Sequence, residues 1–540
     1  MKFPIFQFLL IVLLIGATQS CKKLSKYSDP SLIAPSSWDP QLAAPIAYAD
    51  FGVYDILART DSSELIVIDK NSGQIALVYK GEVISVKAED IISLPEINHQ
   101  ITNSTADLGL PSVPSFSGNA SLQTNQEVTF PVASGIEFHT VVFKSGTIAL
   151  EFTSDLKHDI TITISFPYLL KNGIPLSATL TGNYTAGPIT ISGSIDLTDV
   201  TGSFTNAGST VNTLVMDLHT SIDGTGEEID GSETIVMDAA VTNPTYRNAT
   251  GYFGQQDLGN YADSILIKIF NTSTQGYFEL VNPKVKLEMI NSFGFPVEIV
   301  LSNLKSINVN TGTELPLTGF ANPIEIGSPT ILGESKTTVL ELNNTNTTNI
   351  SSVISPAPKY FYFEVAGTAN PLGPGSNLNF VQDTSRFKIN AELELPLEGF
   401  GYGFEVTDTV EFSFNEDASQ IESIGFRLIV NNGFPVNLDA NITFVDENYQ
   451  PLFSLTDDFD LVVASGEINT SGEVVSRTQK ITDLVADEAE IGLLKNAKHI
   501  LLNAKMETTN GTNNEVIKVL DYYRIGLQLG MKVKLNINVQ

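Results

Sequence analysis

The chain has 540 residues, of which 30 are Lys or Arg and 61 Asp or Glu, giving a formal charge of −31, and its single cysteine is Cys21. A surplus of that size repels phosphate backbones and excludes general nucleic-acid binding, and one cysteine excludes an intramolecular disulfide and any multi-cysteine metal site. With 42% hydrophobic residues the chain is too apolar for a disordered acidic tail, and at about 150 residues per domain its length accommodates three or four domains.

The chain opens with Lys2 and an apolar run from Ile5 to Gly16. The run is shorter than the roughly 20 residues that span a bilayer, so residues 1–20 predict a signal peptide. Small Ser20 stands directly before Cys21. This arrangement resembles the lipobox of bacterial lipoproteins, and the resemblance implies that Cys21 is lipidated and becomes the new N-terminus. Lys22 and Lys23 follow, with no Asp after the cysteine, which in that family implies an outer-membrane destination and leaves its face open. Residues 21–45 carry Pro30, Pro35, Pro40 and Pro45 among polar residues and predict an extended tether. Trp38, the only tryptophan, reads as a local anchor onto the first domain.

Beyond the tether, short runs alternate apolar and polar residues between Asn, Gly, Asp, Ser and Pro breaks, as half-buried antiparallel strands require. Thr147–Phe152, Lys284–Met289 and Lys532–Ile537 are examples. Helical periodicity is nearly absent; its clearest instance is Asp487–Asn496, acidic at its start and with Lys495 near its end. A strand, a polar turn and a returning strand recur three times about 140 residues apart, with Asp159, Pro296 and Pro435 at equivalent turn positions and Pro175, Pro316 and Pro451 at a second set. The expected organisation is a β element over 46–126 and three tandem modules over 127–261, 262–403 and 404–540. Gly294 and Gly433 are read as turn residues free to take positive φ, with Pro296 and Pro435 fixing the entry to the return strand.

In the middle module, Ile290–Ile299, Asn310–Gly312, Leu315–Leu317 and Ile331–Leu340 resemble the late-embryogenesis-abundant group 2 module, also called the water-stress and hypersensitive-response domain. That resemblance covers about the first 65 residues of each module. It implies a small immunoglobulin-like β-sandwich and carries no catalytic residues. The expected fold is therefore all-β: tandem immunoglobulin-like antiparallel sandwiches with minor helix.

Chemistry is sparse. His99, His139, His158, His219 and His499 are scattered without metal-ligand spacing, and His158, beside Asp159 in a turn, reads as an exposed loop residue. No nucleophile elbow, P-loop or dinucleotide fingerprint occurs. The loop Asp223–Asp230 is acidic and glycine-flexible, so Asp223, Glu227, Glu228 and Asp230 are candidate calcium ligands, although an acidic surface loop explains them as well. Asp446–Glu447 and Asp457–Asp460 share that status. No cofactor is otherwise expected. Thirty Phe and sixteen Tyr against one Trp read as core filling, with Tyr360–Phe363 divided between the two faces of one strand.

Anchor, repeats and absent catalytic motifs together predict a non-enzymatic outer-membrane lipoprotein. It would serve as a binding or scaffold subunit whose partners are other envelope or outer-membrane proteins, with the membrane engaged through the N-terminal lipid. A surface adhesin that binds glycans and an envelope lipid carrier are the alternatives.

Overall fold

The computed structural model describes residues 36–539 apart from 39, 56–64, 108, 111, 134, 269–275, 309–310, 356–357, 376–377, 413–420, 457–459 and 536. Cys21, the signal segment and the first part of the expected tether lie outside the described residues, as do 457–459 of the second acidic run. The chain divides into two compact units. One draws on 60–272 and 277–399, the other on 1–59, 273–276 and 400–540.

The fold is all-β, built from antiparallel sheets, and the tandem repeat is visible as strand order. In the third module Ile421–Asn432 lies between Thr478–Ala486 and Arg524–Leu535, and Gln41–Gly52 forms the edge beyond Arg524–Leu535. In the second, Lys284–Asn291 lies between Lys336–Leu342 and Arg386–Pro396, with Ile75–Lys87 beyond. In the first, Ile136–Ser154 lies between Ile189–Asp196 and Thr234–Phe253, with Ile97–Ser104 beyond. A second set of strands repeats one order in all three modules, as a separate sheet in the second and third and, in the first, joined into one ten-stranded sheet through Thr201–Ser203. The central strand of this set is Thr213–Asp223, Tyr360–Ala369 or His499–Thr508, flanked by the strand after the repeated turn and by the strand that opens the module.

This pairing redraws the expected boundaries. The opening strands are Asn119–Thr129, Gln256–Leu266 and Phe404–Glu411, so the first two modules start upstream of 127 and 262. Residues 46–126 do not form one separate element. Their strands are shared out in reverse, with Gln41–Gly52 joining the third module, Ile75–Lys87 the second and Ile97–Ser104 the first. Nor are residues 36–45 a free tether: Ser36–Trp38 pairs with Ile537–Val539, and Gln41–Pro45 is already strand. Pro45 is tolerated because its strand is an edge, where a missing N–H costs no ladder bond, and the register shifts between Pro45 and Ala47.

Alternation puts one face of each sheet into a core. Lys284–Asn291 alternates half-exposed and buried residues, with Val285, Leu287 and Met289 inside. Phe293 and Phe295 stack at 4.9 Å, and Phe295 meets Phe253 of the first module edge-on at 6.2 Å, so the first two modules share aromatic packing within their unit. In the third module Ile424, Phe444, Ala486, Ile491 and Leu494 cluster, with Phe426 and Met531 packed against them. Ile491 and Leu494 come from Glu488–Leu494, the helix read from sequence. Asp487 accepts a bond from the Glu490 N–H and Glu490 accepts one from the Asp487 N–H, each at 2.9 Å.

The repeated turn is held by a buried asparagine. Asn291 Nδ2 donates to the carbonyls of Phe295 (2.9 Å) and Gly327 (3.2 Å), while its Oδ1 accepts from the Phe293 N–H (2.9 Å). Asn432 repeats the set with Val436, Ala464 and Phe434. Ser154 holds the same place in the first module, donating to the Thr234 carbonyl. Gly294 and Gly433 are needed for a different reason from the one expected. Neither sits at positive φ, but a Cβ on Gly294 would lie 2.3 Å from the Phe380 ring, and one on Gly433 would lie 2.8 Å from the Arg524 carbonyl oxygen. Pro296 and Pro435 present their carbonyls to the Asn370 and Thr509 N–H groups, at 2.9 and 3.0 Å.

Candidate functional site

The calcium candidates do not converge. Among the described residues no three His, Cys, Asp or Glu side chains are grouped so as to hold a metal ion. Asp223 accepts from Asn119 across a strand pair. Asp230 accepts from the Ser232 N–H and hydroxyl, and these bonds hold its carboxyl below the usual carboxylate range. Glu227 and Glu228 are exposed. The glycines of this loop serve close approach: a Cβ on Gly224 would lie 2.4 Å from the Phe116 carbonyl oxygen. Glu233, just beyond the run singled out in the sequence, accepts from the N–H groups of Asp230 (2.7 Å) and Gly231 (3.0 Å) and from the Thr105 hydroxyl (2.8 Å). Burial opposes its ionisation, but these donors outweigh it and lower its pKa.

His158 is the second correction. It is fully buried rather than exposed in a loop. Its Nδ1 lies 3.2 Å from both the Thr225 hydroxyl and the Thr225 N–H, its ring meets Phe116 edge-on at 5.3 Å, and its Nε2 has no hydrogen-bond partner. Burial lowers its pKa, against the opposing pull of Glu233, Glu227 and Asp159. It occupies the place that Phe295 fills in the second module, four residues after the turn's polar anchor, so the repeat itself carried the signal that it is a core position.

A more distinctive surface lies on the solvent face of the third module's four-stranded sheet. Register defines it in rows. Tyr48, Gln528, Ile429 and Ile481 stand side by side; next come Pro45, Gly530, Arg427 and Asp483, then Ala43, Lys532, Gly425 and Val485. A hollow of about 800 Å³ lies over these rows. At the usual strand spacing of about 4.8 Å, four strands make a face about 14 Å across. Tyr48 is 71% exposed, Val485 57% and Ile481 49%. Arg427 and Asp483 form a two-pronged pair, Nε and Nη2 each 2.7 Å from one carboxylate oxygen.

The equivalent face of the second module has a smaller hollow, of about 410 Å³, lined by charged side chains. Aligned on Asn291 and Asn432, its equivalent positions carry Lys284, Lys286 and Glu288, paired with Glu394, Glu392 and Asn390, and beyond them Lys80 and Glu82. These make a ladder of surface ion pairs, including Lys80 with Glu392 at 2.9 Å and Lys284 with Glu394 at 3.5 Å. In the third module five of those charges are gone: Lys284 corresponds to Gly425, Glu288 to Ile429, Glu392 to Gly530, Lys80 to Pro45 and Glu82 to Tyr48. The first module has Thr147, Ala149 and Glu151 on the corresponding strand. The hollow was legible in the sequence as glycines inside a strand pattern, but only once the modules are aligned strand by strand.

No family model and no curated protein sequence matches the chain. Among solved structures, a protein of Parabacteroides distasonis described as secreted is similar at 15% identity and a TM-score of 0.30, covering 53% of this chain and 88% of its own. A structure of the Gt strain of infectious bursal disease virus covers 76% of this chain and 75% of its own at 10% identity and a TM-score of 0.16. Likeness at these scores carries no argument about function, and the fold is read from the strands themselves.

Proposed function

We propose that this protein is a non-enzymatic lipoprotein of the outer membrane, anchored through Cys21, that acts as a binding or scaffold subunit of an envelope complex. The observation that carries the binding role is the contrast between equivalent faces. One repeat carries a ladder of charged side chains, partly ion-paired, around a hollow of about 410 Å³, and another has exchanged five charges for Tyr48, Pro45, Ile429, Gly425 and Gly530 around one of about 800 Å³. Exposed apolar surface rimmed by polar groups is the mark of a surface that meets something. The lipobox-like N-terminus supports the anchor, and the resemblance of the middle module to the water-stress domain belongs to the same reading, as a structural module without catalytic residues.

The test is fractionation and chemical crosslinking in native cells, comparing the natural chain with Cys21→Ser and with the Gly425→Lys/Gly530→Glu double variant. The natural chain is expected in the outer-membrane fraction with discrete crosslinked adducts. Cys21→Ser should leave the membrane fraction, and the double variant should stay there while losing an adduct. The proposal is abandoned if no adduct forms and deletion of the protein leaves every envelope component at its normal level.

A further inference from the structure

Gly425 and Gly530 are diagonal neighbours on the exposed face of the third module; Gly530 faces Pro45 beside the bulge of the edge strand, and Gly425 has no such neighbour. They are not at positive φ. A Cβ added to Gly425 meets nothing nearer than 3.9 Å, and one added to Gly530 likewise nothing nearer than 3.9 Å. Glycine within a strand costs roughly 0.5–1 kcal/mol relative to alanine. At Gly425, where neither backbone nor packing asks for it, the remaining structural meaning is close approach by something outside the sheet, and Gly530 beside the bulge leaves the same surface open.

The chemistry around these glycines defines what approaches. The backbone groups of the central strands are spent in the ladders on both sides, so recognition falls to side chains. Arg427, Gln528 and Lys532 offer donors, and Asp483 and Gln528 offer acceptors. The Tyr48 ring, 71% exposed, stands at one end of the row with Pro45 beside it, giving a flat apolar surface next to the planar polar groups. The charges nearly cancel. Asp483 compensates Arg427, and Lys532 has no ion-pair partner among the described residues. In a chain of net charge −31, this near-neutral face offers no cluster of cations for a polyanion. The hollow is open rather than enclosed, so it gives a fatty chain no shelter from water. A ligand with apolar C–H faces and many neutral hydroxyls, each both donor and acceptor, fits all of these features.

We propose that the outer face of the third module binds a neutral glycan chain, its sugar rings lying over Gly530 and Gly425, with one stacked on Tyr48 and its hydroxyls bonded to Arg427, Asp483, Gln528 and Lys532. This rests on the reading of that face as a binding surface and names its ligand class.

The test is affinity electrophoresis of the full chain in gels containing mixed-linkage β-glucan, galactomannan or xyloglucan, with polygalacturonate as the anionic comparison. At least one neutral polysaccharide should retard the protein. Tyr48→Ala should weaken that retardation about tenfold, the value of one aromatic stacking contact. Gly530→Glu and Gly425→Lys, which install the second module's residues where space is open, should abolish it. Lys80→Ala on the second module should leave it unchanged, and hydrogen exchange of the third module's core strands should show that the glycine variants stay folded. The proposal is overturned by no retardation in any neutral polysaccharide, by retardation that survives Gly530→Glu, or by retardation in polygalacturonate alone. If all three neutral gels fail while crosslinking in cells still captures a protein through this face, the glycan assignment falls and the binding-subunit reading stands.

Discussion

Removing the Asn291 side chain with Asn291→Ala tests how the repeated turn is built. Three hydrogen bonds disappear, to Phe295 O, Gly327 O and from the Phe293 N–H. At about 1 kcal/mol net apiece the loss is about 3 kcal/mol. Asn291 is fully buried, as are Phe293 and Phe295, so water does not readily replace the missing partner. The chain has two compact units and several modules, so a single melting temperature is a poor readout. Native-state hydrogen exchange resolves the opening of individual elements. A deficit of about 3 kcal/mol should accelerate exchange in Lys284–Asn291 and Val297–Asn308 about a hundredfold, while Ile421–Asn432 in the other unit is unaffected. Asn432→Ala should produce the reciprocal pattern. Ser154→Ala, which loses one bond of 2.8 Å and one of 3.2 Å, should have a smaller effect, about 2 kcal/mol or thirtyfold. The reasoning is refuted if Asn291→Ala changes local exchange less than threefold, or if Ser154→Ala is the more damaging of the two.

Three further outcomes follow from named contacts. Because burial lowers the pKa of His158, the unfolded chain takes up a proton before the folded one as pH falls; stability is full above about pH 6.5, the ordinary histidine range, and declines below it. His158→Phe should flatten the pH dependence of the protection of Asp159–Lys171 between pH 7 and 5, with the intrinsic amide exchange rate divided out, and a slope equal to that of the natural chain would contradict this. Gly224→Ala drives a methyl into the Phe116 carbonyl, so it should free the 113–118 and 223–229 segments to rapid exchange and proteolysis, and an unchanged cleavage pattern would count against close approach as the reason for glycine there. Asp487→Ala removes the cap of Glu488–Leu494 and should cost about 1 kcal/mol, read as roughly fivefold faster exchange of that helix, whereas Asp487→Asn should cost much less.

What the sequence revealed follows from what is local. The helix at Asp487 carries its capping partners within three residues, and the turns around Pro296 and Pro435 recur with their neighbours. Both are legible without knowing the rest of the fold. The destinations of Gln41–Gly52, Ile75–Lys87 and Ile97–Ser104 are not local. Each is a strand that closes a sheet begun far downstream, and the pairing of Tyr48 with Gln528 leaves no trace in either segment alone. Gly294 and Gly433 stand out in the repeated turn, but the reason for them lies in residues 86 and 91 positions away, Phe380 and Arg524. His158 misled because a polar residue in a turn ordinarily faces water, and only its alignment with Phe295 shows that it fills a core position. The acidic run at Asp223–Asp230 shows the reverse. Its composition suggested a cation site, while its carboxylates largely serve their own turns and strand pair.

Site-specific photo-crosslinking in living cells shows whether the third module's outer face meets a partner. A photoreactive residue placed at Val485, on the rim of the third module's face, is compared with one at Val339, exposed on the equivalent strand of the second module. A binding face should give a discrete adduct with an envelope component from position 485, little from 339, and loss of the 485 adduct when Gly425→Lys and Gly530→Glu fill the hollow. Equal labelling from both positions, or a 485 adduct indifferent to the filled hollow, would contradict it.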